Sequence, residues 1–191
     1  MCVDFYEAPQ FVDEFMGLVT EKTLARIRAW GRLTNGQEPN LPAPGGFSFC
    51  DDSLQLISAP CYELFVLPRH ERLCSAMSTG WRGIHLCGHA AQHFALLRHR
   101  LGVTVIDGPG PFVDHARYLR EFGPDFSFQA QLDHSILERG TPESIDRMMR
   151  DLLTPRCRAP GRFQAMGFVT RHTPLSNVRA CYESARRHGR I

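Results

Sequence analysis

Apolar and polar positions follow two rhythms along the chain. Residues 9–31, "PQFVDEFMGLVTEKTLARIRAWG", carry Phe11, Phe15, Leu18, Val19 and Ile27 at mostly helical spacing, with Pro9 near the start and Gly31 at the end. This predicts an amphipathic helix. The Pro/Gly/Asn-rich stretch "RLTNGQEPNLPAPGG" follows and reads as a loop. Beyond it, a short apolar run ending in polar residues precedes a capped amphipathic stretch, five times over. The runs at 46–50, 83–87, 103–107, 125–131 and 162–168 predict strands. The stretches at 59–77, 89–101, 112–122, 142–153 and 174–188 predict helices. Thr141-Pro142 and Thr173-Pro174 each offer a capping hydroxyl followed by proline at the first helical position, where its missing N–H costs nothing.

Parallel strands need a crossover, and the crossover is usually a helix, so this alternation predicts an α/β fold with a parallel sheet. Periodicity alone fits either an open doubly wound sheet or part of a (β/α)8 barrel. The length of 191 residues favours one domain. Residues 1–45 would supply its N-terminal helix and loop, and residues 46–191 five βα units.

Composition narrows the function classes. Hydrophobic residues make up 43% and charged residues 22%, ordinary globular usage, and the formal net charge is only +2. No large field is available to hold a polyanion, so nucleic acid is not an expected partner. No apolar run approaches the roughly 18 residues that a membrane span needs. The seven cysteines form no CxxC pair and follow no signal-like N-terminus, which fits reduced thiols in a cytoplasm. Cys61, Cys74 and Cys181 sit in helical patterns and read as small buried hydrophobes.

In both candidate architectures the working face lies at the strands' C-terminal ends. Titratable residues gather there: Cys50-Asp51-Asp52, His85 and Cys87, Asp107, and Asp133-His134. Asp51, Asp52, Asp107 and Asp133 are therefore candidate catalytic carboxylates, although strand-to-helix loops also carry aspartate as caps. His85 and Cys87, at i and i+2 on a strand, point to the same face. Imidazole nitrogen beside thiolate sulfur suits zinc, whose catalytic sites take three protein ligands and leave one position open. His89, His93, His99, His134 and His172 have no second ligand at close spacing and read as exposed or capping histidines. "IDGPGP" at 106–111 lacks the residue order of a phosphate loop and reads as a turn.

Several of these segments, taken in order, resemble the C-terminal portion of the uroporphyrinogen decarboxylase superfamily. They are "DDSLQLISAPCYELFVLPRHERL", "IHLCGHA", "IDGPGPFVDHARYLREFGPDFSFQAQLDHSILERGTPESIDRMMRDLL" and "TPLSNVRACYESARRHGR". The resemblance implies a (β/α)8 TIM-type barrel with its cleft at the strands' C-terminal ends. With five strands visible, the chain looks like a barrel lacking its first three βα units. Such a piece would be a truncated product, a half completed by another polypeptide, or a self-associating homo-oligomer.

Two chemistries occur in that superfamily. One branch decarboxylates a tetrapyrrole without a cofactor, in heme biosynthesis. The other moves a methyl group from a corrinoid, carried on a partner protein, to a thiol that zinc holds as thiolate. His85-Leu86-Cys87-Gly88 matches the zinc motif of the methyltransferase branch, which makes zinc-thiolate methyl transfer the leading expectation and the decarboxylase the alternative. A third possibility is a non-catalytic, partner-completed half-barrel. The resemblance also implies a third zinc cysteine just before the last helix, where this chain has Met166, Gly167 and Phe168. The third ligand is therefore expected from Cys50, Asp51 or Asp52.

Overall fold

The computed structural model describes residues 2–111, 113–123, 125–155 and 163–189. Five strands form one sheet: β1 (Phe47–Cys50), β2 (Arg82–His85), β3 (Val103–Asp107), β4 (Ser127–Gln131) and β5 (Phe163–Met166). They lie side by side in chain order, β1-β2-β3-β4-β5. The register Asp107↔Gln129 joins β3 to β4, and Gln129↔Gln164 joins β4 to β5, both parallel. A doubly wound sheet reverses its strand order at a switch point, whereas a barrel adds strands consecutively. The consecutive order therefore fits an arc of a barrel. The predicted strand 103–107 matches β3 in full, and the other four are found within a few residues of their expected bounds. Residues 112 and 162, where one helix and one strand were expected to begin, lie outside the described residues.

The chain divides into two compact units, residues 1–84 with 90–103, and residues 85–89 with 104–191. The first contains α1 (Asp4–Glu7), α2 (Pro9–Asn35), α3 (Ala59–Cys61), α4 (Leu67–Met77) and α5 (Phe94–His99). Its core gathers Leu54, Tyr62, Leu67, Ile84, Leu97 and Leu101, all essentially inaccessible. Between α3 and α4 the helix widens into a π-turn over Tyr62–Val66. Pro68 explains the widening: it has no N–H for the Leu64 carbonyl and its ring crowds that carbonyl, so the preceding turn opens to absorb it.

The long helix α2 is present as predicted, but its buried side is not the one that hydropathy suggests. Phe11, Phe15, Leu18 and Val19 are exposed, while Val12, Thr20, Leu24 and Gly31 are buried. Two of these four are not hydrophobic side chains. Thr20 satisfies its hydroxyl on the Met16 carbonyl at 2.8 Å. Gly31 accepts Pro39 so closely that a Cβ there would lie 2.5 Å from the proline ring. His93 also departs from expectation. It is fully buried, with Nε2 2.8 Å from the Leu54 carbonyl, and burial pushes its pKa down despite that contact.

The second unit holds α6 (His115–Phe122), α7 (His134–Arg139), α8 (Pro142–Leu152) and a C-terminal helix, α9 (Leu175–His188). Thr141 caps α8 in a reciprocal box with Ser144. Thr173 does not cap α9. Its hydroxyl accepts from the Thr170 N–H at 3.0 Å, and Pro174 itself takes the capping position. On α8, Asp146 accepts from Ser184 at 2.8 Å and Arg187 at 2.8 Å, and lies 3.0 Å from His188, which clasps α9 to α8. Among the described residues no helix is long and apolar enough to cross a membrane.

These placements predict that Leu24→Ala destabilises the protein by about 2–4 kcal/mol, while Phe11→Ala costs under about 1 kcal/mol. Urea denaturation of the two variants measures the difference. A larger loss in Phe11→Ala than in Leu24→Ala would show that α2 buries the other side.

Candidate functional site

The site is built where β2 and β3 end. His85 closes β2, and the chain continues through Leu86, whose N–H donates to the Asp107 carbonyl at 2.9 Å. That ladder bond sets the two strand ends side by side. The Asp107 carboxylate then meets the imidazole, Oδ2 to Nδ1, at 3.2 Å. On the other side of the ring, Nε2 lies 3.2 Å from Cys87 Sγ. The same-face relation of His85 and Cys87 expected from their spacing is thus observed.

Gly108 makes room for the ring. Its φ is +90°, a region that L side chains rarely adopt, and a Cβ there would lie 2.3 Å from His85 Cε1. The imidazole therefore packs against bare backbone. The Gly108 N–H donates to the Gln129 carbonyl at 3.0 Å, which anchors that backbone to β4. After Cys87 the chain turns at Gly88, also at positive φ, and the Tyr118 hydroxyl donates to the Gly88 carbonyl at 3.4 Å.

The donor arrangement fits a metal ligand set. A histidine that binds metal usually gives its second ring N–H to a carboxylate, which fixes the tautomer and ring plane. Here Asp107 takes Nδ1–H and leaves the Nε2 lone pair facing the Cys87 sulfur. Two ligands on a tetrahedral zinc, with Zn–S near 2.3 Å and Zn–N near 2.0–2.1 Å, stand about 3.5 Å apart. The 3.2 Å between Nε2 and Sγ is close to that separation. Among the described residues, Asp107 Oδ1 is buried without a hydrogen-bond partner, and the carboxylate's polar side-chain contact is to the ring.

The other predicted carboxylates have different surroundings. Asp51 caps the 3-10 turn Asp52–Leu56, accepting from the Ser53 N–H at 3.2 Å and from the Ser53 hydroxyl. Its Oδ2 lies 3.3 Å from His70 Nε2, and His70 Nδ1 lies 3.2 Å from the Tyr62 hydroxyl. Burial raises the Tyr62 pKa strongly, so the phenol keeps its proton and donates to Nδ1. His70 consequently presents Nε2–H to Asp51. Burial pushes the Asp51 carboxyl up, but hydrogen bonds from His70 and Ser53 outweigh it and hold the group below its ordinary value. Asp52 opens the turn and is exposed, as is Cys50.

Asp133 caps α7, accepting from the Ser135 N–H at 2.8 Å and from its hydroxyl at 2.6 Å. Desolvation raises its pKa, and the Ser135 bonds override this to lower it. Asp133 also borders a cavity of about 410 Å³ lined by His115, Gln131, Ser144, Arg147 and Met148. Sequence reasoning gave no notice of the His70–Tyr62 support behind Asp51 or of the seat that Gly108 provides. The "IDGPGP" run marked a turn, and its first glycine is that seat.

Comparison with known proteins places the chain in a family. The family model for uroporphyrinogen decarboxylase (URO-D) matches residues 46–188. A methylated-thiol–coenzyme M methyltransferase from Methanosarcina mazei is 31% identical over 137 residues, covering 69% of this chain and 35% of that protein. A solved methyltransferase structure from Methanosarcina mazei superposes with a TM-score of 0.66 at 14% identity, covering 97% of this chain and 52% of that one. This chain spans about a third of the first relative and about half of the second. The match across β1 to α9 identifies the chain as a member of the uroporphyrinogen decarboxylase family, with methyltransferases among its relatives.

Proposed function

We propose that this chain carries the zinc-binding part of a methyltransferase site, in which a substrate thiol is held for methylation. The observation that carries the reading is the His85 imidazole, oriented by Asp107 through Nδ1 and turned by its Nε2 toward Cys87. A donor pair so oriented is costly to keep on a decarboxylase cleft that has no use for it. The methyltransferase relatives support the same choice over tetrapyrrole decarboxylation.

His85 Nε2 and the Cys87 thiolate would hold zinc, with the third ligand sought among Cys50, Asp51 and Asp52. Asp51 is less suited, because both of its oxygens are engaged by Ser53 and His70. When bound, zinc would supply a Lewis acid that keeps a substrate thiol as thiolate, the form competent to attack a methyl group. The residues' own work is positional. Asp107 keeps the Nδ1 proton and the ring plane fixed, and Gly108 gives the ring its place against β3. Cys87 must lose its proton to bind metal, so affinity for zinc falls as pH is lowered. The methyl donor consistent with the family resemblance is a corrinoid carried by a partner protein. The six cysteines among the described residues that are free thiols favour a reducing, cytoplasmic setting.

Protein purified without chelator is expected to hold about one equivalent of zinc, lost in Cys87→Ser and His85→Ala. Less than about a tenth of an equivalent, unchanged by Cys87→Ser, would refute the metal role. Asp107→Asn retains the fold and weakens zinc binding by about 10–100-fold, as loss of a carboxylate behind a ligating histidine does elsewhere. Competition with a chromogenic chelator measures this, and an unchanged affinity would remove Asp107 from the site.

A further inference from the structure

Helix α2 carries apolar side chains on the side that the fold leaves open. Phe11, Phe15, Leu18 and Val19 keep 55%, 38%, 56% and 44% of their surface exposed. At about 100° per residue these four fall within roughly a third of the helix circumference, and the buried Thr20 and Leu24 lie on the opposite side. That opposite side is held to α4, where Arg69 reaches Asp13 at 2.7 Å and Arg72 reaches Glu21 at 2.9 Å. Phe11 and Phe15 stack with ring centroids 5.8 Å apart, so the stripe is continuous and not scattered. Monomeric proteins rarely leave a large contiguous apolar patch in water.

Charge along α2 indicates what covers the stripe. Residues 9–21 contain Asp13, Glu14 and Glu21 and no basic residue, whereas residues 22–35 contain Lys22, Arg26, Arg28 and Arg32 and no acidic one. The helix dipole favours that order only in the first and last turns, and Glu21 and Lys22 stand at mid-helix. A helix lying on a lipid surface spreads its basic residues along the polar face, and an acidic half works against anionic headgroups. A second α2 running antiparallel instead sets each acidic half beside a basic half.

We infer that α2 pairs antiparallel with α2 of a second copy of this chain, with Leu18 on the twofold axis. In a twofold contact, residue i of one copy meets j of the other and j meets i. Glu14 stands four residues before Leu18 and Lys22 four after, so each Glu14 faces a Lys22 across the axis. Both are exposed, and Glu14 meets the uncharged Gln10 within its own chain, at 3.1 Å. Phe11, seven residues before Leu18, lies over Ala25, seven after, whose small side chain leaves room for the ring. One helix pair buries less than the roughly 1,600 Å² of a standard interface, so a dimer of about micromolar affinity is expected.

Sedimentation velocity of the purified chain from about 1 to 200 µM tests this, with half-dimerisation expected near about 10 µM. Reducing conditions exclude disulfide dimers through the exposed Cys2 or Cys50. Leu18→Glu places two carboxylates on the axis and should weaken the dimer by more than about 100-fold. Glu14→Lys or Lys22→Glu alone sets like charges at both contacts and should weaken it about tenfold. The double variant Glu14→Lys/Lys22→Glu should return it to within about threefold of wild type, which separates the contact from misfolding. A chain that stays monomeric at the highest concentration, a dimer indifferent to Leu18→Glu, or single charge reversals that the double variant does not rescue overturns the inference. So does a chain that is monomeric in solution but sediments with phosphatidylserine–phosphatidylcholine vesicles and loses them on Leu18→Glu, since the stripe then faces lipid.

Discussion

A strand that runs parallel to its neighbour must return by a crossover, so every strand of this chain ends on the same edge of the sheet. The chemistry depends on that constraint. Successive strand ends, 20 or more residues apart in sequence, come to lie one strand spacing apart. His85 and Asp107 close consecutive strands, and the Leu86 to Asp107 ladder bond holds those ends in register. The imidazole–carboxylate contact follows from this backbone arrangement, and it gives the ring one tautomer and one plane. Without it the ring could offer either nitrogen to Cys87. With it, Nε2 is the nitrogen that faces sulfur.

Much of this was legible in the sequence, and the reasons differ by element. Strand β3 and helix α8, opened by Thr141-Pro142, announced themselves through period and punctuation, which are local properties, whereas α2 runs past the glycine expected to end it, Gly31, to Asn35. The meeting of His85 with Cys87 was also local, because i and i+2 on a strand share a face whatever the strand pairs with. The partner of His85 was not. Asp107 stood out only as a strand-end carboxylate, and one sequence does not print the register that brings it to Nδ1. Helix α2 shows the converse failure. Its exposed Phe11, Phe15 and Leu18 outweigh Thr20 and Gly31 on any hydropathy scale. The buried side was chosen by close approach and by a threonine that satisfies its own hydroxyl, neither of which hydropathy records.

The carboxylates at the strand ends also divide by environment rather than by residue type. Asp133 and Asp51 spend their oxygens on Ser135 and Ser53, in the capping geometry that any loop-to-helix junction rewards. Asp51 has in addition a buried supporting chain through His70 to Tyr62, which holds it ionised and in place. Asp107 caps nothing and meets a histidine. A carboxylate that serves a ring instead of a backbone N–H is the stronger functional signal, and it is the one that pattern reading ranked no higher than its neighbours.

The His85–Cys87 pair, with Asp107 behind it, is proposed as a metal ligand set and not a packed thiol beside an imidazole. X-ray absorption at the zinc edge of zinc-loaded protein tests it most directly. A four-coordinate shell with one sulfur near 2.3 Å and nitrogen or oxygen near 2.0–2.1 Å is expected, with loss of the sulfur in Cys87→Ser. A shell of oxygen and nitrogen alone, identical in wild type and Cys87→Ser, would contradict it.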